Sequence, residues 1–321
     1  MEIFFVTIQA VFALLGVGVI GFWIIGRGRV SGETLGFLSS LSIDIAVPCL
    51  VLASLIIDFS PQNNPDWWLM PLWWLGFIGV SLPLSLFCSL MISRHHRREF
   101  AMGLFYQNAL FFPLVIVTGV FGPRDPYLVT LFLLMFLHPT MIFSTYPLFF
   151  PKKNAHQGFN MARVFNPVLI STIVGISVAL IGIQAYVPQF VKTIFIMVGA
   201  MAAPLFMLIL GGNLYHDLIL EAKEKRKIYF LEVSTFILAK NILFPLVALG
   251  ILILIKPAFP VALIIMLEAT VPPITSIPIL AQRSGGNRSL SSQLLVGSFL
   301  FSIISIPLAL YLFSRFFFIP Q

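Results

Sequence analysis

The chain has 321 residues, 59% of them hydrophobic and only 10% charged, with a net charge of +7 and a mean hydropathy of +1.01. This balance excludes a soluble globular domain, because apolar runs of about 20 residues, each long enough to cross a bilayer, recur along nearly the whole chain. The two cysteines, Cys49 and Cys88, lie inside such runs, which reads them as small core hydrophobes and not as a disulfide or metal pair.

Ten spans follow in chain order, at roughly 4–25, 35–57, 68–92, 100–121, 127–150, 164–185, 190–213, 229–255, 258–281 and 290–314. Glu2 stands where a secretory leader would carry basic residues, so no cleavable signal peptide is expected. Fourteen of the nineteen Lys and Arg residues fall in alternate connections: Arg27 and Arg29; Arg94, Arg97 and Arg98; Lys152, Lys153 and Arg163; Lys223, Lys225, Arg226 and Lys227; Arg283 and Arg288. The other side has Arg124, Lys192, Lys256 and Arg315, and Lys240 lies within a span. The positive-inside rule then predicts an integral inner (plasma) membrane protein with both termini outside and five basic loops in the cytoplasm. The charge excess is thus a topology signal, and no nucleic acid partner is implied.

The outer loop Ser60–Trp68 (SPQNNPDWW) reads as a turn and an aromatic interface anchor continued by Trp73 and Trp74, with a ligand-stacking platform as the sharper alternative. Ser93–Glu99 (SRHHRRE) could hold a metal or phosphate, but a cytoplasmic topology anchor accounts for it better. The polar stretch Tyr215–Lys227 reads as a short amphipathic connection at the inner interface.

The chemistry concentrates in Met266–Leu280 (MLEATVPPITSIPIL), where an apolar span contains Glu268 and the prolines Pro272, Pro273 and Pro278. A continuous helix cannot pass Pro272–Pro273 undistorted, and in hydrocarbon a broken helix survives only when buried in protein or lining a watery cavity. An internal repeat supplies its counterpart. Pro48 (IAVPCLVLAS) aligns with Pro204 (MAAPLFMLIL), Pro113 with Pro273 and Pro147 with Pro307, which sets Asn108 opposite Glu268. Two halves of five spans each must cross the membrane in opposite senses. The expected fold is therefore an all-α polytopic membrane protein of ten transmembrane helices, two inverted five-helix repeats with broken crossing helices 4 and 9. The repeats would occupy residues 1–150 and 164–321, joined by a cytoplasmic linker at 151–163.

Counting inward from the loops, Asp44, Asn108, His138, Lys240, Asn241 and Glu268 fall near mid-membrane depth. Ionisable groups there are costly and usually face a cavity or a partner. Asn108 and Glu268 flank the two breaks and are the leading functional candidates. Asp44 sits one turn before Pro48, where a carboxyl bonded to loosened backbone is the plainer reading. Lys240 could bridge to Glu268 as a purely structural pair. His138, before Pro139, reads as a satisfied core histidine, and Glu232 as a solvated residue near the inner surface. Ser171, Thr172, Thr270, Thr275 and Ser276 can return hydrogen bonds to backbone.

Several short marks in order give a resemblance across nearly the whole chain. They are Asn108-x-x-x-x-Pro113, Asn166-Pro167, Ala202-Ala-Pro-Leu205 ahead of Gly211, Val271-Pro-Pro and Arg283-Ser-Gly-Gly-Asn287. Together they resemble the auxin efflux carrier family, which includes plant auxin exporters and bacterial permeases. The resemblance implies an elevator-type secondary transporter. A scaffold of helices 1, 2, 6 and 7, often dimerising, would hold a transport unit of the other six. The site for an organic anion would lie at the crossing, with Asn108, Pro113, Val271, Pro272 and Pro273 lining it and Thr270 beside them. The chain lacks the long central hydrophilic loop of the plant exporters and carries Glu268, so bacterial permeases are the closer comparison.

The expected function is secondary transport of a small organic anion, a mono- or dicarboxylate. The coupling ion would be H⁺ or Na⁺, taken up by Glu268 with Asp44 and Lys240 as further candidates, and no other cofactor is expected. Two alternatives carry weight: a sodium-coupled carrier like the bile-acid symporters, with Na⁺ near Glu268, and a membrane ligand sensor that does not transport. No nucleophile–base constellation suggests an enzyme, and no P-loop suggests ATP-driven pumping.

Overall fold

The computed structural model describes residues 2–28, 32–122, 125–150, 166–215 and 227–317. The linker expected at 151–163, nearly all of the Tyr215–Lys227 connection and Arg124 lie outside the described residues. Among the described residues every regular element is helical. We number them α1 (Glu2–Gly26), α2 (Glu33–Ile57) and α3 (Trp67–Ser89), α4 (Arg97–Phe105), α5 (Phe111–Phe121), α6 (Tyr127–Leu137) and α7 (His138–Thr145). The second half contributes α8 (Pro167–Ile181), α9 (Gln189–Tyr215) and α10 (Phe230–Ile255), α11 (Phe259–Thr270), α12 (Ile277–Arg283) and α13 (Arg288–Phe313). Five of these, α2, α3, α9, α10 and α13, are long and apolar enough to cross a membrane.

The reason for this monotony is solvation. Phe87, Met91, Phe190, Met197 and Leu254 all point large apolar side chains outward, where a bilayer would cover them. A backbone in contact with hydrocarbon must satisfy its own hydrogen bonds, and the α-helix does so within one segment.

A proline follows each of the two π turns. In α2 a π turn at Ser42–Ala46 precedes Val47-Pro48, and in α10 another at Ala239–Leu243 precedes Phe244-Pro245. A proline cannot donate to the carbonyl four residues back, and the widened turn absorbs the defect. The second π turn turns Lys240 and Asn241 into the protein interior, where both are buried.

The helices sort into two packing groups. α2 packs along α8 and the first half of α9, while α1 packs along the second half of α9. Most of the remaining helices pack chiefly on one another: α3 with α4 and α6, α10 and α12 with α13, and α11 with α6, α10 and α13; α5 and α13 also pack on α1 and so join the two groups. The contact between α1 and α9 is backbone against backbone. A Cβ built on Gly211 would lie 1.8 Å from the Gly18 carbonyl oxygen, and one on Gly21 would lie 2.2 Å from that of Leu208. Only glycine allows this approach. Gly211→Leu is therefore expected to pry α1 from α9 and cost more than the roughly 1–3 kcal/mol typical of overpacking. Thermal unfolding in detergent measures it, and a variant as stable as the parent would refute the close packing.

Candidate functional site

The site is built where two chain interruptions meet. α4 ends at Phe105 and α5 begins at Phe111; α11 ends at Thr270 and α12 begins at Ile277. The intervening segments lie antiparallel, bridged at Gln107 and Pro273. The Asn108 amide donates to the Pro272 carbonyl at 2.9 Å, and the Ile274 amide donates to the Tyr106 carbonyl at 2.9 Å. Each interruption thus satisfies groups that the other exposes. Deep in a membrane protein an orphaned amide or carbonyl costs several kcal/mol, so the two breaks stabilise each other as a pair.

Beside this bridge lies a cavity of about 330 Å³. Asn108 and Phe111 reach it from the first interruption, and Thr275 and Ser276 from the second. From the other packing group come Ser39, Asn166, Phe206 and Asn213. Phe111 and Phe206 stack across the boundary between the groups with ring centroids 3.6 Å apart. Asn166 also caps α8, its side-chain oxygen accepting from the Leu169 amide at 2.9 Å. The start of α5 has no side-chain cap at Leu110, and Leu110, Phe111 and Phe112 all line the cavity. An uncapped helix N-terminus with open amides is a favourable place for negative charge. A second cavity of about 350 Å³ lies along the same boundary, lined by Asp58 just after α2, Thr118 and Gly119 from α5, and Ile196 and Ala203 from α9.

The residues singled out from sequence fall in three places. Of the residues expected to bind substrate or the coupling ion, Asn108 alone lines the cavity. Pro113, Thr270, Val271, Pro272 and Pro273 are buried in the packing around the crossing and do not form its wall. Their part is to shape the break, since Pro272 and Pro273 offer carbonyls but no amides. Asp44 is exposed on α2, although Ile43 and Val47 on either side of it face the cavity. It is drawn neither to the crossing nor to Glu268.

Glu268 and Lys240 occupy a separate, closed compartment. They are 1% and 0% exposed, and each feels the other's charge. No ordinary hydrogen bond joins them, for the Glu268 carboxylate oxygens, the Lys240 Nζ and both side-chain polar atoms of Gln107 are buried without partners. The Lys240 ammonium lies 5.1 Å from the centre of the Phe244 ring. Next to it Asn241 is fully engaged, donating to the Ser298 carbonyl at 3.2 Å and to Ser305 Oγ at 3.1 Å, and accepting from Ser298 Oγ at 2.8 Å.

Three sequence expectations change. His138 is not a satisfied core histidine: it lines the cavity, is 4% exposed, and has a buried Nδ1 without a partner. Trp74 is not an interface anchor. It is 1% exposed and packs edge-on against His138, ring centroids 5.8 Å apart at 87°, whereas Trp68 is 57% exposed. Glu232 is not simply solvated, because it pairs with His96 at 2.7 Å. That contact also uses one of the two histidines of Ser93–Glu99, His96, to tie the start of α4 to α10, and no metal-binding cluster of His, Cys, Asp or Glu occurs among the described residues. The cavity role of Phe206, Asn213 and His138 depends on which helices become neighbours, and the sole sequence signal was a histidine at membrane depth.

A family profile described as membrane transport protein matches the chain twice, over residues 6–161 and 154–310. The repeated match spans nearly the whole sequence in two halves of similar length. No curated protein matches the chain.

Proposed function

Because the chain belongs to the membrane transport protein family, the auxin efflux carriers and their relatives, we propose that it is a secondary transporter that moves a small organic anion, a mono- or dicarboxylate, by an elevator motion. The observation that carries this is the cavity at the paired interruptions, where Asn108 and the uncapped start of α5 face an otherwise mostly apolar space of ligand size. An anion there would take hydrogen bonds from the Asn108 side-chain NH₂ and the open α5 amides, with its organic body against Phe111, Phe112 and Phe206.

The elevator reading draws on the two packing groups. α1, α2, α8 and α9 would be the scaffold, bilayer-embedded and available for a homodimer, and the other helices the moving unit. Both cavities lie along the boundary between the groups, the surface over which such a unit would slide. The cavity holding Asn108 is lined by residues near the basic-loop ends of their helices, such as Asn166 and Asn213. With those loops in the cytoplasm, this conformation is the inward-facing one.

Coupling to H⁺ or Na⁺ completes the proposal. Glu268 is the carboxylate nearest the break, and Lys240 already supplies it with a cation, which favours a proton over a metal ion. A sodium-coupled carrier like the bile-acid symporters would need an open carboxylate here. The test is thermal unfolding of the purified protein with the potassium salts of acetate, benzoate and malonate, each with and without Na⁺. Stabilisation should grow as ln(1 + [L]/Kd), reaching about 2.7 kcal/mol at one hundred times Kd. Stabilisation by none of them would sink the anion reading, and a response that requires Na⁺ would favour the bile-acid-like alternative.

A further inference from the structure

Resting on the reading of the cavity as an anion site, we propose that His138 takes up a proton together with the anion, so that anion and H⁺ occupy the cavity as one neutral pair. The argument begins with what the cavity wall lacks. Its polar residues are Ser39, Asn108, His138, Asn166, Asn213, Thr275 and Ser276, and His138 is the one ionisable side chain among the described residues that line it. Amides and hydroxyls supply hydrogen bonds but no counter-charge. Burying an unaccompanied carboxylate is far more costly than burying a neutral pair.

Nor does charge reach the imidazole from behind. The elements packed on α7 and on the turn before it are α3, α6, α8 and the Tyr146–Phe149 turn, and none contains Asp, Glu, Lys, Arg or a second histidine. Their titratable groups are Cys88 and the tyrosines Tyr127 and Tyr146, while Tyr106 is engaged by Thr145 at 2.6 Å. Elsewhere, Lys240 faces Glu268, Glu99 accepts from the Asn287 amide at 2.7 Å, and Glu232 holds His96, while Asp44, beside the cavity-lining Ile43, is exposed on α2.

The imidazole is held in place but unused. Trp74 sets its ring plane from one side, and no hydrogen bond is made by either ring nitrogen among the described residues. A buried histidine with a fixed ring and no partner is incomplete until something binds. Histidine is also the side chain whose ordinary titration lies between pH 5 and 8. In the empty cavity no charged side chain on the described wall balances a charge on the ring. An arriving carboxylate balances it, and the proton comes from solvent onto His138 as the anion binds. By reciprocity, lower pH must then tighten the anion.

The experiment uses the full-length protein in detergent and whichever of potassium acetate, benzoate and malonate stabilises it most. Its dissociation constant is measured from pH 6 to pH 8 for acetate or benzoate, which stay ionised there, and from pH 7 to pH 8 for malonate, whose second carboxyl titrates nearer pH 6. The affinity is expected to fall with rising pH, approaching tenfold per unit, and a weakly buffered solution is expected to lose close to one proton per anion bound. His138→Gln should still bind, with an affinity that no longer depends on pH. The proton measurement on the unaltered protein decides the matter even if that variant does not fold. Anion binding with no proton uptake and a flat pH profile overturns this proposal alone. A pH profile that persists unchanged in His138→Gln also overturns it, by placing the proton elsewhere. If none of the three salts binds, the anion reading itself fails and takes this proposal with it.

Discussion

Asn108→Ala is expected to weaken binding of the stabilising anion by roughly 10- to 100-fold and to leave the unfolding temperature of the empty protein almost unchanged. The magnitude follows from the loss of hydrogen bonds to a charged group, about 1.5–3 kcal/mol in all, where each 1.4 kcal/mol is a factor of ten. Stability should survive because the structural bond at this position is made by the backbone. It is the Asn108 amide nitrogen that donates to Pro272, and alanine keeps that amide. The side chain lines the cavity and makes no hydrogen bond among the described residues. The measurement is a concentration series of thermal unfolding in parent and variant. Unaltered affinity in the variant would remove Asn108 from the site, and a large fall in empty-protein stability would make it a structural residue instead.

Breaking the buried pair should have the largest effect on stability. Lys240→Met leaves the Glu268 carboxylate in a closed compartment with no counter-charge, and removal of one partner from a buried pair costs about 3–5 kcal/mol. Glu268→Leu alone should be costly for the same reason, because Lys240 is fully buried. The double variant should recover much of the loss, since well-packed apolar residues replace a buried pair at little net cost. Thermal unfolding of the two singles and the double forms a cycle whose coupling reports the pair directly. Additive losses would mean that the two charges do not support one another. Glu268→Gln further separates structure from transport: if uptake stops while anion affinity and its pH dependence persist, the pair serves the moving unit and not the binding step.

The sequence alone determined the properties that depend on composition and local backbone chemistry. Apolar runs fixed a helical membrane protein, since hydrocarbon leaves the backbone no other partner. Pro272–Pro273 fixed an interruption near Glu268, because proline cannot donate; the internal alignment of Pro113 with Pro273 pointed to a second one near Asn108. The same logic could have placed the π turns before Pro48 and Pro245, but a proline in a span is compatible with a kink or a full break, and only neighbours decide between them. Tertiary structure decided what each polar residue faces. Asn108 and Glu268 are matched in the repeat, yet one lines the cavity and the other is sealed beside Lys240. Asp44 and His138 both lie near membrane depth, yet one is exposed and the other closes the cavity wall against Trp74. Depth in the membrane is counted along the chain, whereas facing depends on how helices are rotated against partners distant in sequence. That rotation is set by contacts such as Gly18 on Gly211 and Phe111 on Phe206, which no local pattern encodes.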